Sequence, residues 1–296
     1  MDILETLDIH NAAPASLALG TFDGLHLGHM AVLRAALDSS YSPQVFTFNG
    51  SPSGDPALMT REDKAAVLEE LGIERTYSLD FSALRDLEAE AFARKVLMER
   101  LHASRLCCGE DFRFGRGARG DVEMLRGICR EAGAELVVVP PVRDGEGKVS
   151  STRIRRAVAE GDITGANRML GRPFGFTLEV IHGNHIGRGL GTPTINQALP
   201  EGLALPRFGV YAAWCRTERG RHYGVCNIGV KPTVGSDRVL AETWMPEFSG
   251  DLYGQRVRVE LLGFIRPERK FSSLDELKEE IKRNAETAKG MVSAER

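Results

Sequence analysis

One short stretch constrains this chain more than any other: Gly20-Thr21-Phe22-Asp23-Gly24-Leu25-His26-Leu27-Gly28-His29. It follows Ala15-Ser-Leu-Ala-Leu19, an apolar run that reads as a buried strand. It precedes Met30, Val32, Leu33 and Leu37, which fall on one face of a helix. The stretch is therefore a strand-to-helix crossing with His26 and His29 at the mouth of the helix. The first N–H groups of a helix lack intrahelical partners and carry the positive end of its dipole, so they attract phosphate. Gly24 and Gly28 let a phosphate approach the backbone. Two imidazoles add donors that turn cationic as negative charge builds on a reacting phosphate. A lone histidine at a turn is usually structural, but a pair flanking a glycine at such a junction points to chemistry.

The crossing sits in a chain that alternates strand and helix up to about residue 170. Gln44-Val-Phe-Thr-Phe48 is a second strand, followed by a Gly-, Pro- and Ser-rich loop from Asn49 to Pro56. Thr60 caps a helix carrying Ala65, Val67, Leu68 and Leu71, with Asp63 at the box position. Arg75 to Leu79 reads as a strand, and Glu88 to Leu101 as a helix with Phe92, Val96, Leu97 and Leu101 on one side. Leu106-Cys-Cys108 is a short strand and Val122 to Ala132 a helix. The β-branched run Leu136 to Val139 predicts a fully buried strand. Such alternation builds a parallel sheet with helices on both faces, whose ligands sit beyond the carboxyl ends of the strands. Two more segments lie at such ends. Gly109-Glu-Asp-Phe-Arg-Phe-Gly-Arg-Gly-Ala-Arg-Gly120 is a loop rich in glycine and arginine. In Ser150-Ser-Thr-Arg-Ile-Arg155, Ser151 or Thr152 can cap a helix carrying Ile154 and Val158, bringing hydroxyls, N–H groups and Arg153 to one anion site.

The rhythm changes after a helix at Ile163 to Leu170, ended by Gly171-Arg-Pro173. Short strands follow at Phe176 to Ile181, Gly209 to Arg216, Tyr223 to Ile228, Leu240 to Met245 and Gln255 to Leu262, the pattern of a small antiparallel barrel. A closing helix starts at Ser273, with Glu276 completing a capping box and Leu274, Leu277 and Ile281 as its apolar stripe; the tail after Gly290 is expected to be loose. The chain thus divides near residue 172, into domains 1–172 and 173–296. Gly183-Asn-His-Ile-Gly-Arg-Gly-Leu-Gly191 can cradle phosphates with its backbone N–H groups, although it lacks the Gly-Lys-Ser/Thr ending of a Walker loop. Thr194 and Asn196 face the same side of an extended segment, a hydroxyl and an amide that suit Mg²⁺ on a nucleotide. Glu242, in Leu240-Ala-Glu-Thr-Trp-Met245, reads by itself as a solvated strand carboxylate.

Composition excludes several classes. A length of 296 residues suffices for about two domains, and 42% hydrophobic residues can bury real cores. The net charge of −3 offers no basic excess for nucleic acid. No apolar run approaches the ~18 residues of a membrane span, and the acidic Met1-Asp-Ile-Leu-Glu-Thr start is not a signal peptide. Five cysteines without a C-x-x-C pair argue against a disulfide framework and a zinc site. Cys107 and Cys108, in an apolar run, are expected to be buried reduced thiols, and the cytoplasm is the expected compartment.

The crossing resembles the H-x-G-H signature of the nucleotidyltransferase superfamily. Its full Gly-x-Phe-Asp-Gly-x-His-x-Gly-His string is similar to the adenylyltransferase half of prokaryotic bifunctional riboflavin kinase/FAD synthetases. The segments at 109–115 and 150–155 look like that family's G-x-D-F-x-F-G and S-S-T-x-I-R signatures, in the same order. Residues 173–289 resemble riboflavin kinase through Gly187-Arg188, Pro193-Thr-x-Asn196, Pro206 to Tyr211, Asn227-Ile-Gly229 to Thr233, Glu242-Thr243, Asp251 to Gly254 and Lys270-Phe271. The resemblance implies an α/β nucleotidyltransferase (Rossmann-like) N-terminal domain and a small antiparallel β-barrel riboflavin kinase domain with a C-terminal helix. It implies ATP-dependent phosphorylation of riboflavin to FMN, and adenylylation of FMN to FAD with release of pyrophosphate. By the same resemblance His26, His29, Thr152 and Arg153 hold the triphosphate, and Gly20, Phe22, Asp23, Gly24, Gly28, Asp111 and Ser151 complete the nucleotide site. Gly183, Gly187, Arg188 and Gly191 would cradle the kinase's ATP. Glu242 would take the proton of the ribityl 5′-hydroxyl, and Thr194 and Asn196 would hold Mg²⁺. Riboflavin, FMN and ATP are the expected partners, with no nucleic acid and no membrane, in a monomer or weak homo-oligomer. One departure stands out. Where the family usually has Thr-Phe-x-Pro-His-Pro, this chain has Thr47-Phe48-Asn49-Gly50-Ser51-Pro52. The alternative is therefore a riboflavin kinase with a catalytically weakened N-terminal domain. In the second half Ile186, Thr192 and Asn284 also depart from the common pattern, and none of them touches Glu242, Thr194 or Asn196.

Overall fold

The apolar run Ala15–Leu19 is buried at every position because it takes a central place in a six-stranded parallel sheet. The computed structural model describes residues 1–6, 13–182, 192–233 and 236–294. In chain order the sheet contains β1 (Asp2–Leu4), β2 (Ala15–Leu19), β3 (Ser42–Phe48), β4 (Arg75–Leu79), β5 (Ala103–Gly109) and β6 (Glu135–Val139). Their spatial order is β1-β4-β3-β2-β5-β6, with every neighbouring pair parallel. The chain steps from β2 outward through β3 and β4, then returns to lay β5 and β6 on the other side of β2. Ligands of such sheets bind where the winding reverses, outside the carboxyl ends of the strands, and here that place is the mouth of β2 and β5.

Helices α1 (Leu27–Leu37), α2 (Arg61–Glu70), α3 (Ala89–Ala91) and α4 (Val122–Ala132) lie along the crossings. The helix expected over 88–101 is present, but beyond α3 it widens over Phe92–Arg100, where Leu101 N–H donates five residues back to Val96 O (2.9 Å). Phe92, Val96 and Leu97 join Leu17, Phe46 and Leu106 in one core. Two expectations fail here. The run Leu136–Val139 is half-buried rather than fully buried, because β6 ends the sheet and has one strand neighbour, not two. Helix α5 (Ser151–Glu160) begins on Ser151 itself, so neither Ser151 nor Thr152 is its cap. The Ser151 hydroxyl instead donates to Asp23 O at 2.9 Å, a backbone acceptor from a distant part of the chain.

The chain forms two compact units, Met1–Ala57 with Arg61–Ser151, and Leu58–Thr60 with Thr152–Arg296. Residues 152–172 therefore pack with the second unit. Helix α6 (Ile163–Leu170) shows why: its Asn167 donates from Nδ2 to Leu261 O (2.9 Å) and accepts from Phe174 N–H (2.6 Å). Asp162 caps α6, and Gly171 closes it in the left-handed conformation. The second unit contains β9 (Phe174–Glu179), β10 (Thr194–Ala198), β11 (Gly209–Thr217), β12 (Gly220–Thr233), β13 (Ser236–Trp244) and β14 (Arg256–Arg266), all antiparallel in the order β10-β13-β12-β11-β14-β9. The β9 and β10 edges come together. Ile181 N–H donates to Asn196 O (2.8 Å), and buried Gln197 donates from Nε2 to Leu178 O (2.6 Å) and Val257 O (2.7 Å).

The last helix, α7 (Leu274–Ala294), corrects the expectation of a loose tail. It runs past Gly290, and Ala288 and Val292, one turn apart, pack on Val210, Ala212, Val225 and Leu262. A two-residue apolar step is too weak a signal to read in isolation, but it meets a ready hydrophobic surface. The buried stripe is accordingly Asn284, Ala288 and Val292, while Leu277 and Ile281 are half-buried. Ser273 Oγ accepts from Glu276 N–H (3.2 Å) as expected, and the Glu276 carboxylate reaches Ser272 N–H (2.9 Å). Cys107, Cys108, Cys129, Cys215 and Cys226 are all buried and free, and burial pushes the Cys108 thiol up to about 12.

Candidate active sites

The crossing after β2 contains three residues in the left-handed region: Phe22 (φ 48°), Gly24 (φ 76°) and Leu25 (φ 43°). Glycine adopts this conformation freely, whereas Phe22 and Leu25 are strained and need support from their surroundings. Both are buried, and the carbonyl just ahead of them, Thr21 O, accepts from Thr47 Oγ1 (2.7 Å) and Lys64 Nζ (2.9 Å). His26 then takes the N-cap of α1, its Nδ1 accepting from His29 N–H at 3.3 Å. A ring nitrogen does here what a serine or aspartate oxygen usually does, which leaves the ring proton of a neutral His26 on Nε2. The His29 ring stacks on His26 with centroids 3.6 Å apart, and Phe22 meets His29 edge-on at 5.4 Å. Gly28 packs close to the ring, since a Cβ there would lie 3.0 Å from His26 Cε1 and the imidazole would have to shift to make room.

Gly20, Phe22, His26, Gly28 and His29 open onto a cavity of about 720 Å³ in the first unit. Asp111 and Ser150 line it too, so parts of all three motif segments share one space. Its other walls are aromatic, with Phe46, Phe48, Phe81 and Phe92 beside the stacked pair Phe112 and Phe114 (5.5 Å). One end thus suits phosphates and the other a flat ring system. The hairpin β7 (Arg143–Asp144) and β8 (Gly147–Lys148) brings Lys148 onto Asp111, and that hydrogen-bonded ammonium holds the Asp111 carboxyl below its usual range. Ser151 reaches the crossing through Asp23 O. Asp23, Gly24, Thr152 and Arg153 do not line the cavity. Sequence reasoning missed Lys64 and Lys148, because a single lysine on a polar helix or in a two-residue strand carries no periodic signal.

In the second unit strand register assembles the candidate site. Asn196 on β10 lies directly opposite Glu242 on β13, and Glu242 lies directly opposite Asn227 on β12. Directly paired residues of antiparallel strands share a face, so the three form one polar row. Thr194, two residues before Asn196, faces the same side. Asn227 donates from Nδ2 to Glu268 Oε1 at 3.3 Å. Asn196 is buried, and neither its side chain nor that of Thr194 hydrogen-bonds another described residue. Two neutral hard-oxygen donors left uncommitted beside a carboxylate fit Mg²⁺, which keeps several waters and takes few protein ligands. Among the described residues no group of three or more His, Cys, Asp and Glu side chains is placed for a metal. Gly183, Gly187, Arg188 and Gly191 lie outside the described residues. The pairing of Asn227 with Glu242 was invisible in sequence, since only register creates it.

The FAD synthetase family model matches residues 8–153 and the riboflavin kinase model residues 170–292. A bifunctional riboflavin kinase/FMN adenylyltransferase of Haemophilus influenzae is 35% identical, covering 97% of this chain and 98% of its own length. The protein of the same name from Escherichia coli K12 is 33% identical over 95% of each chain, and that from Listeria monocytogenes 31% identical over 94% of this chain and 92% of its own. A crystal structure named as a macrolide-efflux protein from Streptococcus pneumoniae superposes with a TM-score of 0.88 at 30% identity, over 97% of this chain and 98% of that one. No helix among the described residues is long and apolar enough to cross a membrane. Each half meets its own family model in the expected order, and relatives align from end to end, so the chain belongs to the bifunctional riboflavin kinase/FMN adenylyltransferase family.

Proposed function

We propose that the chain phosphorylates riboflavin with ATP to give FMN in its second half, and transfers AMP from ATP to FMN in its first, giving FAD and pyrophosphate. We put the functional boundary near residue 172, after the FAD synthetase match ends at 153 and just inside the riboflavin kinase match that begins at 170. The observation that carries the adenylyltransferase reading is the stacked His26–His29 pair at a helix mouth, opening onto a cavity with aromatic walls. An oxygen of the FMN phosphate attacks the α-phosphorus of ATP, and the bond to the pyrophosphate oxygen breaks. The imidazoles and the N-terminus of α1 stabilise the charge on the attacked phosphate, and alignment of the two substrates supplies much of the rest. No covalent intermediate is needed. The kinase-only alternative draws support from Asn49-Gly50-Ser51-Pro52 alone, whereas both motif histidines line the cavity.

In the kinase reaction the ribityl 5′-hydroxyl attacks the γ-phosphorus, the bond to the ADP oxygen breaks, and Glu242 accepts the hydroxyl proton. Phosphoryl transfer depends mainly on positioning and charge neutralisation, so a carboxylate is an adequate base. Thr194 and Asn196 would hold Mg²⁺, which when bound neutralises phosphate charge. Asn196 and Asn227, on either side of Glu242, keep the row polar. Five buried thiols without a disulfide, together with the need for ATP, favour the cytoplasm. A monomer or weak homo-oligomer is the state we expect, and the net charge of −3 favours no nucleic-acid partner.

The test is chromatography of flavins after incubating the full chain with riboflavin, ATP and Mg²⁺. FMN and then FAD should accumulate. FMN without FAD would restore the kinase-only alternative, and neither product would overturn both assignments.

A further inference from the structure

We propose that Lys64 is a positioning residue for adenylyl transfer, its ammonium holding the left-handed crossing that presents His26 and His29. The proposal rests on the adenylyltransferase reading of the first unit. Lys64 lies on α2, next to buried Asp63, and its side chain reaches the carboxyl ends of β2 and β3. Nζ donates to Thr21 O (2.9 Å) and to Thr47 Oγ1 (2.8 Å), while Thr47 Oγ1 donates to the same Thr21 O (2.7 Å). The result is a closed triangle on the carbonyl that precedes strained Phe22 and Leu25. In a planar trans peptide the C=O and the following N–H point in opposite directions. Drawing Thr21 O toward Lys64 therefore turns the Phe22 N–H the other way and removes a repulsive carbonyl from the path of a phosphate. Thr21 and Phe22 both line the cavity.

Charge supports the same role. The ammonium faces Asp23, in the crossing itself, and Arg61, one turn back on α2. The segment that follows on β3's side, Asn49-Gly50-Ser51-Pro52, carries no cationic side chain, and Lys64 brings one to Thr47. Burial lowers Lys64 to about 8, so the folded chain keeps this ammonium against its own stability. A group retained at such a cost marks function more often than architecture.

The experiment compares both reactions in the full-length chain. For Lys64→Met, kcat for FAD formation from FMN and ATP should fall about 10- to 100-fold, the cost of a misplaced reacting group. KM for both substrates should stay within about threefold, and FMN formation from riboflavin within about twofold. Lys64→Arg, which keeps charge and donors, should recover kcat to within about fivefold of the unaltered chain. Thr47→Val removes the second donor without changing charge and should cost about three- to tenfold in kcat. Unimpaired kcat in Lys64→Met, or a Lys64→Arg chain as slow as Lys64→Met, overturns the proposal. If Lys64→Met abolishes the first unit's melting transition, Lys64→Arg and Thr47→Val decide: a loss in Thr47→Val with recovery in Lys64→Arg upholds the role, and any other pairing overturns it. An unaltered chain that makes no FAD overturns the adenylyltransferase reading and this proposal with it, whereas FAD formation insensitive to Lys64 overturns this proposal alone.

Discussion

The two candidate sites are built on opposite plans. In the first unit the proposed reacting groups sit where a strand gives way to a helix, beside strained backbone, and their partners are drawn from loops after β2, β5 and β8. In the second unit the corresponding groups sit within strands, and the register of β10, β13 and β12 lines up Asn196, Glu242 and Asn227. Loop ends can present backbone N–H groups to a phosphate because those groups have no ladder partner. Strand interiors have spent theirs on the ladder, so they act through side chains held at a fixed spacing. The contrast teaches that one chain can handle two phosphate chemistries by two physical routes, one dominated by backbone and helix ends, the other by a side-chain row.

Breaking each plan separately is the sharpest way to test that contrast. The largest effect is expected from Glu242→Gln, which keeps shape and removes the base. FMN formation should fall about 10²–10⁴-fold while FAD formation from supplied FMN is unchanged, both read by chromatography. His29→Ala should do the reverse, costing about 10²–10³-fold in FAD formation with FMN formation intact. His26→Ala should lose as much activity and, because His26 also caps α1, about 1 kcal/mol of stability in thermal or urea unfolding. The second unit's dependence on its closing helix can be broken with Val292→Ala, which empties part of the contact with Val210 and Leu262. About 1.5–3 kcal/mol should be lost, seen as a lower melting temperature in the kinase half.

A further test concerns pH. Lys64 titrates near 8 in the folded chain and near 10.5 when unfolded. Between those values the unfolded chain binds the extra proton, so the first unit should gain stability as pH rises through that window. The gain is fully present above the unfolded value and absent below about 8. Lys64→Met should flatten that rise in a pH series of melting curves, and a rise that persists in the variant would assign the effect elsewhere.

The amino-acid order by itself determined most of the elements and the central pair of the first candidate site. Ala15–Leu19, Val122–Ala132 and Ile163–Leu170 appear at the expected bounds, because apolar periodicity and capping act across a few neighbouring residues. The His26–His29 pair was legible for the same reason, since one short stretch holds both rings and the helix start. Tertiary structure alone decided the row of Asn196, Glu242 and Asn227, the inward turn of Lys64, the half-buried edge at β6 and the ordered end of α7. Each of these depends on which distant segment becomes a neighbour. That choice is set by the summed burial and hydrogen bonding of a whole unit, which no local window contains.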